Sequence, residues 1–164
     1  MDDQLHDIRA RHIGLMRTTA ATITRLLETV SQRDASTLRD GGDGWTILEV
    51  LGHLRDFDGF FRGRAEMICA QNYPTLPAYD HESLAIERAY NAGDLRAMLA
   101  EFNASREQTR GFFSDLVPEQ WERAGVHPER GHFTLTDAAI QVGHHDVTHL
   151  EQIAKILALH STAS

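Results

Sequence analysis

Ten histidines fall within 164 residues. Their densest group is Gly143-His144-His145-Asp146-Val147-Thr148-His149-Leu150. His145 and His149 stand four residues apart, which on a helix places them on one face, one turn apart. Two imidazoles so placed can reach a single metal ion. With this many histidines, roughly 0.6 such pairs are expected by chance, so spacing alone does not decide the matter. The face carries more weight. Val142, Ile153 and Ile156 share it, so the pair points at a core. Buried polar groups without partners are costly, and one shared ion would satisfy both rings. His53 has Val50, Phe57 and Phe60 as helical neighbours and can point inward or towards the core edge. If its helix packs against that of His145 and His149, the three converge. Three imidazoles with an open fourth position can activate water or bind a thiol as thiolate. Zinc, nickel, copper and iron all accept imidazole. Separate histidines, each hydrogen-bonded or exposed, are the plainer alternative.

The remaining polar residues are weighed against that centre. His144 lies about 100° round the helix from His145 and reads as a rival ligand, an outer partner or an exposed residue. His81, His127 and His132 fall in connections, and His6, His12 and His160 read as surface positions. Asp56, one turn after His53, and Asp146, beside His145, are the nearest candidates for a catalytic general base. Gln152 either hydrogen-bonds near the site or packs. Arg55, Arg62 and Arg64 could meet an anionic substrate group, but a solvated helix face suits them better. Trp45 reads as a packing anchor at a helix entrance. Cys69, the single cysteine, reads as a buried structural thiol, and no internal disulfide is possible.

Four long helices are expected to position these groups. Leu5 to Val30 carries apolar residues at three- and four-residue steps. Residues 31 to 44 break the pattern, with glycine at 41, 42 and 44. Thr46-Ile47-Leu48-Glu49 is a capping box, so a second helix is expected from Thr46 to about Gln71. Pro74 and Pro77 open a connection from Asn72 to roughly Ile86, in or after which two short helical pieces fit. Asp94 caps a third helix ending near Leu116, before Pro118. An irregular stretch follows to Phe133. Thr134 then opens the last helix, which runs to about Leu159. No alternating apolar run suggests a strand. The expectation is an all-α fold, one domain over 1–164, built as a four-helix bundle with a long crossover between the second and third helices. Short loops favour antiparallel neighbours.

Apolar residues make up 41% of the chain and the formal net charge is −8. An acidic chain argues against a nucleic-acid surface and leaves small-molecule substrates open. The acidic start (Met1-Asp2-Asp3-Gln4) lacks an apolar signal core, and no run approaches bilayer length. A cytoplasmic protein with no membrane partner is expected.

Two segments resemble one known family. Gly44-Trp45-Thr46-Ile47-Leu48-Glu49-Val50-Leu51-Gly52-His53-Leu54 is similar to the W-[ST]-x-x-E-x-x-x-H-[LI] segment opening the second helix of DinB/YfiT-like proteins. His145-x-x-x-His149-x-x-Gln152-Ile153 is similar to their last-helix motif. The motifs lie about ninety residues apart, as in the family. The resemblance implies a four-helix bundle with a long crossover, a homodimer, and a divalent metal ion, zinc or nickel, held by His53, His145 and His149. Relatives of this kind include bacillithiol transferases and mycothiol- or glutathione-dependent isomerases. A metal-dependent enzyme using a low-molecular-weight thiol is therefore the leading expectation. A metal-dependent hydrolase and a non-enzymatic, metal-stabilised or ligand-sensing bundle are the alternatives.

Overall fold

The computed structural model describes residues 2–161. Residues 1 and 162–164 of the expected domain lie outside them. Four long helices dominate: α1 (Asp2–Leu27), α3 (Ile47–Ala70), α5 (Leu95–Ser114) and α6 (Leu135–Ser161). Two short helices, α2 (Gln32–Thr37) and α4 (His81–Glu87), and a 3₁₀ turn at Tyr90–Ala92 fill the connections. Helix starts follow local chemistry. Thr46 and Glu49 cap α3 reciprocally, and the Asp94 carboxylate accepts from the Ala97 amide at the head of α5. Asp137 serves α6 in the same way, accepting from the Thr134 amide while the Thr134 hydroxyl accepts from its own.

Two features depart from the sequence pattern. Residues 31 to 44 are not all loop, because the Ser31 side chain accepts from the Asp34 amide and starts α2. The stretch before α6 holds an antiparallel hairpin, β1 (Ala124–His127) and β2 (Gly131–Thr134). Four-residue strands are too short to show a period of two. Their turn relies on Gly131 at φ 71°, a left-handed backbone that glycine adopts freely.

Contacts along the helices give their directions. Arg55 bonds Glu101, Asp58 bonds Arg106, and Arg62 bonds Thr109, so α3 and α5 run parallel. Arg9 bonds Thr136 and Thr19 bonds Asp146, so α1 and α6 run parallel as well. Each of these pairs packs antiparallel to the other pair. Helices joined by the shorter links, α1 to α3 and α5 to α6, sit across the bundle's diagonal rather than side by side. The expected antiparallel neighbours are therefore antiparallel but not neighbours. The long connection is a true crossover, since it must return the full length of α3 before a parallel α5 can begin. Gly52 lets it pack close: a Cβ there would sit 2.5 Å from the Tyr90 ring.

The interior divides into two apolar clusters. One gathers Ile23, Leu27, Ile47, Leu51, Phe102, Ile153 and Ile156. The other gathers Met16, Phe61, Phe113, Trp121, Phe133 and Val142. A buried polar layer lies between them. Arg106 (2% exposed) donates to Asp58 at 2.6 Å and to both oxygens of Asp146. Ser105 and Thr109 complete Asp58, and Thr19 completes Asp146. Cys69 is half-buried and burial pushes its thiol pKa up, as suits a structural residue. Among the described residues, no helix is long and apolar enough to cross a membrane.

Candidate metal centre

The level of the polar layer is also where α3 and α6 bring three imidazoles together. The candidate ligand nitrogens of His53, His145 and His149 all lie within 4.8 Å of one another. His53 Nε2 and His145 Nε2 are 2.8 Å apart. A tetrahedral ion with metal–nitrogen bonds of about 2.0–2.1 Å holds its ligands roughly 3.3 Å apart, so small ring rotations suit the set to coordination. His53 is buried; the other two are partly so.

Each ring is held differently. His149 Nδ1 lies 2.8 Å from the Gln152 side-chain oxygen, which fixes Nδ1 as the protonated nitrogen and leaves Nε2 free for the site. Gln152 in turn donates to Asp40, and Asp40 pairs with Lys155. His53 is held by aromatic contact, with Phe57 at 4.1 Å and Trp45 at 5.2 Å between ring centroids. Its Nδ1 is buried without a partner. Phe61 meets His145 edge-on at 5.0 Å. Outer bonds of the Gln152 kind typically contribute 10–100-fold in metal affinity. Gln152→Leu is therefore expected to weaken zinc binding by about that factor, measured by chelator competition. An unchanged affinity would show that His149 needs no outer partner.

Burial pushes all three imidazoles towards their neutral form. His53 falls to about 3, with His149 and His81 adding to the effect. His145 falls well below its ordinary value through burial and its two histidine neighbours. His149 falls through burial, partly offset by Gln152. Neutral imidazole is the form a metal takes. A histidine whose folded pKa lies below its unfolded value binds protons preferentially when unfolded, so stability is full above about pH 6.5 and is lost as pH falls towards 3. In metal-free protein each histidine is expected to cost up to about 1 kcal/mol between pH 6.5 and 5.5, read from urea titrations in chelator. A flat profile would mean that the rings are solvated.

The carboxylates expected nearby do not reach the site. Asp56 accepts from the Tyr90 hydroxyl and pairs with Arg55 and Arg88. Burial would raise its pKa, but these three partners more than offset that and hold it below the ordinary carboxylate value. Asp146 is 1% exposed and belongs to the Arg106 layer. Each is committed to cations in the fold, so neither is placed to take a proton from a substrate. Glu49 caps its helix and His144 is exposed. His12, expected at the surface, is partly buried with an unpartnered Nδ1.

A cleft of about 350 Å³ opens over the histidines, and several of its walls carry no motif in the sequence. Trp45, Phe57, Phe61 and Gln141 line it, along with His81, His127, Arg64 and Glu129. His81 reaches it from the start of α4, 6.1 Å from the His53 ring. Arg64, expected on a solvated face, is 6% exposed. Positions 53, 57, 61 and 64 follow one helical face, and that periodicity is the signal that marks them. His127 comes from the hairpin, which no sequence pattern announces.

Fold and centre together describe a helical bundle with three clustered histidines that could hold a metal ion. The model of the DinB superfamily matches residues 15–153, and the chain belongs to that family. OB0782 of Oceanobacillus iheyensis, named as a candidate metal-dependent hydrolase, is 26% identical over 115 residues, 68% of this chain and 66% of that protein. YfiT of Bacillus subtilis, named in the same way, is 20% identical over 148 residues, 87% of this chain and 82% of its own length. The solved structure of YfiT superposes with a TM-score of 0.85 over 93% of this chain and 87% of its own. A mycothiol-dependent maleylpyruvate isomerase gives a TM-score of 0.75 at 12% identity, over 91% of this chain and 62% of the isomerase. This chain thus spans just under two thirds of OB0782 and of the isomerase. The structural likenesses show the four-helix bundle fold.

Proposed function

We propose that the chain is a metal-dependent enzyme in which His53, His145 and His149 hold one divalent ion, zinc or nickel, and a low-molecular-weight thiol is the nucleophile. The observation that carries this reading is the absence, among the described residues, of a carboxylate bonded to any of the three imidazoles. Asp56 and Asp146, the nearest in sequence, are tied to arginines. Hydrolysis by an activated water would still need a proton delivered to the leaving group, for which an acid or base beside the ion serves, whereas a thiolate, once formed, attacks an electrophile without one. Such an ion, when bound, lowers the pKa of a thiol or water at its open position.

The chain's own residues do the rest. Gln152 keeps His149 in the tautomer that presents Nε2. Trp45, Phe57 and Phe61 exclude water and offer an apolar wall to an electrophilic substrate. Three neutral imidazoles would leave a bound divalent ion its full charge, which would favour the thiolate form of a thiol. Steady-state assays of metal-loaded protein with bacillithiol, mycothiol and glutathione against a general electrophile test the reading. Turnover with at least one thiol is expected, and turnover with none removes it.

A hydrolase is the second reading, favoured by Glu129. It lines the same cleft and makes no ion pair among the described residues, so it is the one carboxylate placed to serve as base. The names of OB0782 and YfiT point the same way. Ester and amide panels with zinc or nickel, run on wild type and Glu129→Gln, separate the two. Hydrolysis that falls at least tenfold in Glu129→Gln would favour this second reading.

A further inference from the structure

Two buried arginines cross the interior, and they are treated differently. Arg106 is neutralised by Asp58 and Asp146. Arg64 is 6% exposed and makes no ion pair among the described residues. Its Nε and Nη2 both donate to the Pro77 carbonyl, at 3.1 and 2.6 Å. Its Nη1 donates to His127 Nε2 at 3.0 Å. The guanidinium carbon lies 4.9 Å from the centre of the Tyr79 ring, which itself stacks on Phe60. These contacts use three of the five N–H groups of a guanidinium and supply no negative charge. The same side chain lines the cleft over His53, His145 and His149. Glu129, the nearest acid in that lining, is exposed and beyond ion-pair reach.

Glu129 acts on Arg64 only from beyond contact; a buried cation with no counter-ion in contact is expensive, and nothing in the apolar packing requires one here. A crossover strap could be tied to α3 by a neutral donor. A fixed, planar, always-charged fork matches a carboxylate instead. We propose that Arg64, held from behind by Pro77 and His127, is the binding subsite for a carboxylate carried by a molecule that enters the histidine cleft. The subsite sets orientation. With the carboxylate on Arg64, the apolar middle of the ligand lies along Phe57 and Phe61, and its far end is directed at the imidazoles. This inference rests on the reading of the cleft as a substrate site and does not require the metal.

The test uses matched ligands that differ only in charge. Phenylacetate and phenylacetamide are titrated into metal-stripped wild-type protein, following calorimetry and the fluorescence of Trp45 in the cleft wall. Phenylacetate is expected to saturate and to bind about 10- to 100-fold tighter than the amide, the range for a hydrogen bond to a charged group. The preference is expected to vanish in Arg64→Met and to be weakened in Arg64→Lys, which keeps the charge but not the fork. It should persist in His145→Ala, so failure of the metal reading leaves this result standing. In cobalt-loaded protein, 3-mercaptopropionate and 2-mercaptoethanol are compared by their thiolate absorption bands. A preference for the acid that Arg64→Met abolishes assigns the carboxylate to the thiol. A preference seen only with phenylacetate assigns it to the electrophile. Equal binding of acid and neutral partner in both pairs overturns the proposal, even if Arg64→Met does not fold.

Discussion

Purified His145→Ala protein is expected to contain no stoichiometric metal, where the wild type is expected to carry one ion per chain. The three rings stand at near-equal spacing, with centroids 4.9 Å apart for His53 and His145, 4.5 Å for His145 and His149, and 4.6 Å for His53 and His149. Removing it leaves two imidazoles on different helices, and affinity is expected to fall by more than the factor of about 100 that bounds an outer partner. Elemental analysis reads this directly. Thermal melting reads it independently, because an ion present at about 100 times its Kd stabilises the wild type by roughly 2.7 kcal/mol and cannot do so for the variant. The metal-free variant carries a second signature. It lacks one of the three histidines whose pKa is depressed by burial, so its stability should fall less steeply below pH 6.5 than that of metal-free wild type. Stoichiometric metal retained in His145→Ala would end the three-histidine reading.

Arg106→Met is expected to destabilise the protein by about 3–5 kcal/mol, the usual result of leaving a buried charge without its partner. Two carboxylates lose their cation at once. Asp58 keeps Ser105 and Thr109, and Asp146 keeps only Thr19 among its side-chain donors. For a chain of this size the fall in Tm should be roughly 6–20 °C, followed by circular dichroism. Asp58→Asn should cost less, because Arg106 then still has Asp146. A Tm within about 2 °C of wild type for Arg106→Met would mean that the layer is hydrated rather than ionically bound. The layer also bears on the metal centre. Asp146 is the neighbour of His145 and is anchored through Arg106 to α5 and, through Thr19, to α1. The histidine-bearing turn of α6 is thereby fixed against two helices.

Much of the helical framework is legible in the amino-acid sequence. Thr46 with Glu49, Asp94, and Thr134 with Asp137 mark helix starts by satisfying amides within three residues, and such bonds depend on little beyond local sequence. The apolar stripes mark the buried faces, and the spacing of His145 and His149 marks half of the candidate centre. The hairpin is not legible, because its strands are too short to show a period and its pairing is sealed by Gly131. The diagonal placement of consecutive helices is not legible either. It depends on which faces pack, and several arrangements would bury the same stripes.

The site shows the same division. His145 and His149 are identifiable because residue type, helical spacing and an apolar face coincide within one helix, and His53 joins them mainly through the resemblance of its segment to the family motif. The roles that spacing suggests for Asp56, Asp146 and Arg64 change once partners from distant segments come into view. Tyr90 and Arg88 claim Asp56, Arg106 claims Asp146, and Pro77 and His127 enclose Arg64. A charged side chain acts according to which opposite charge reaches it first and how much water it keeps. Both are settled by contacts between residues far apart in the chain. The sequence by itself determined the four long helices and, with the family resemblance, the three candidate histidines. Tertiary packing decided which carboxylates were neutralised, which cation was left facing the cleft, and so what chemistry the centre can be asked to perform.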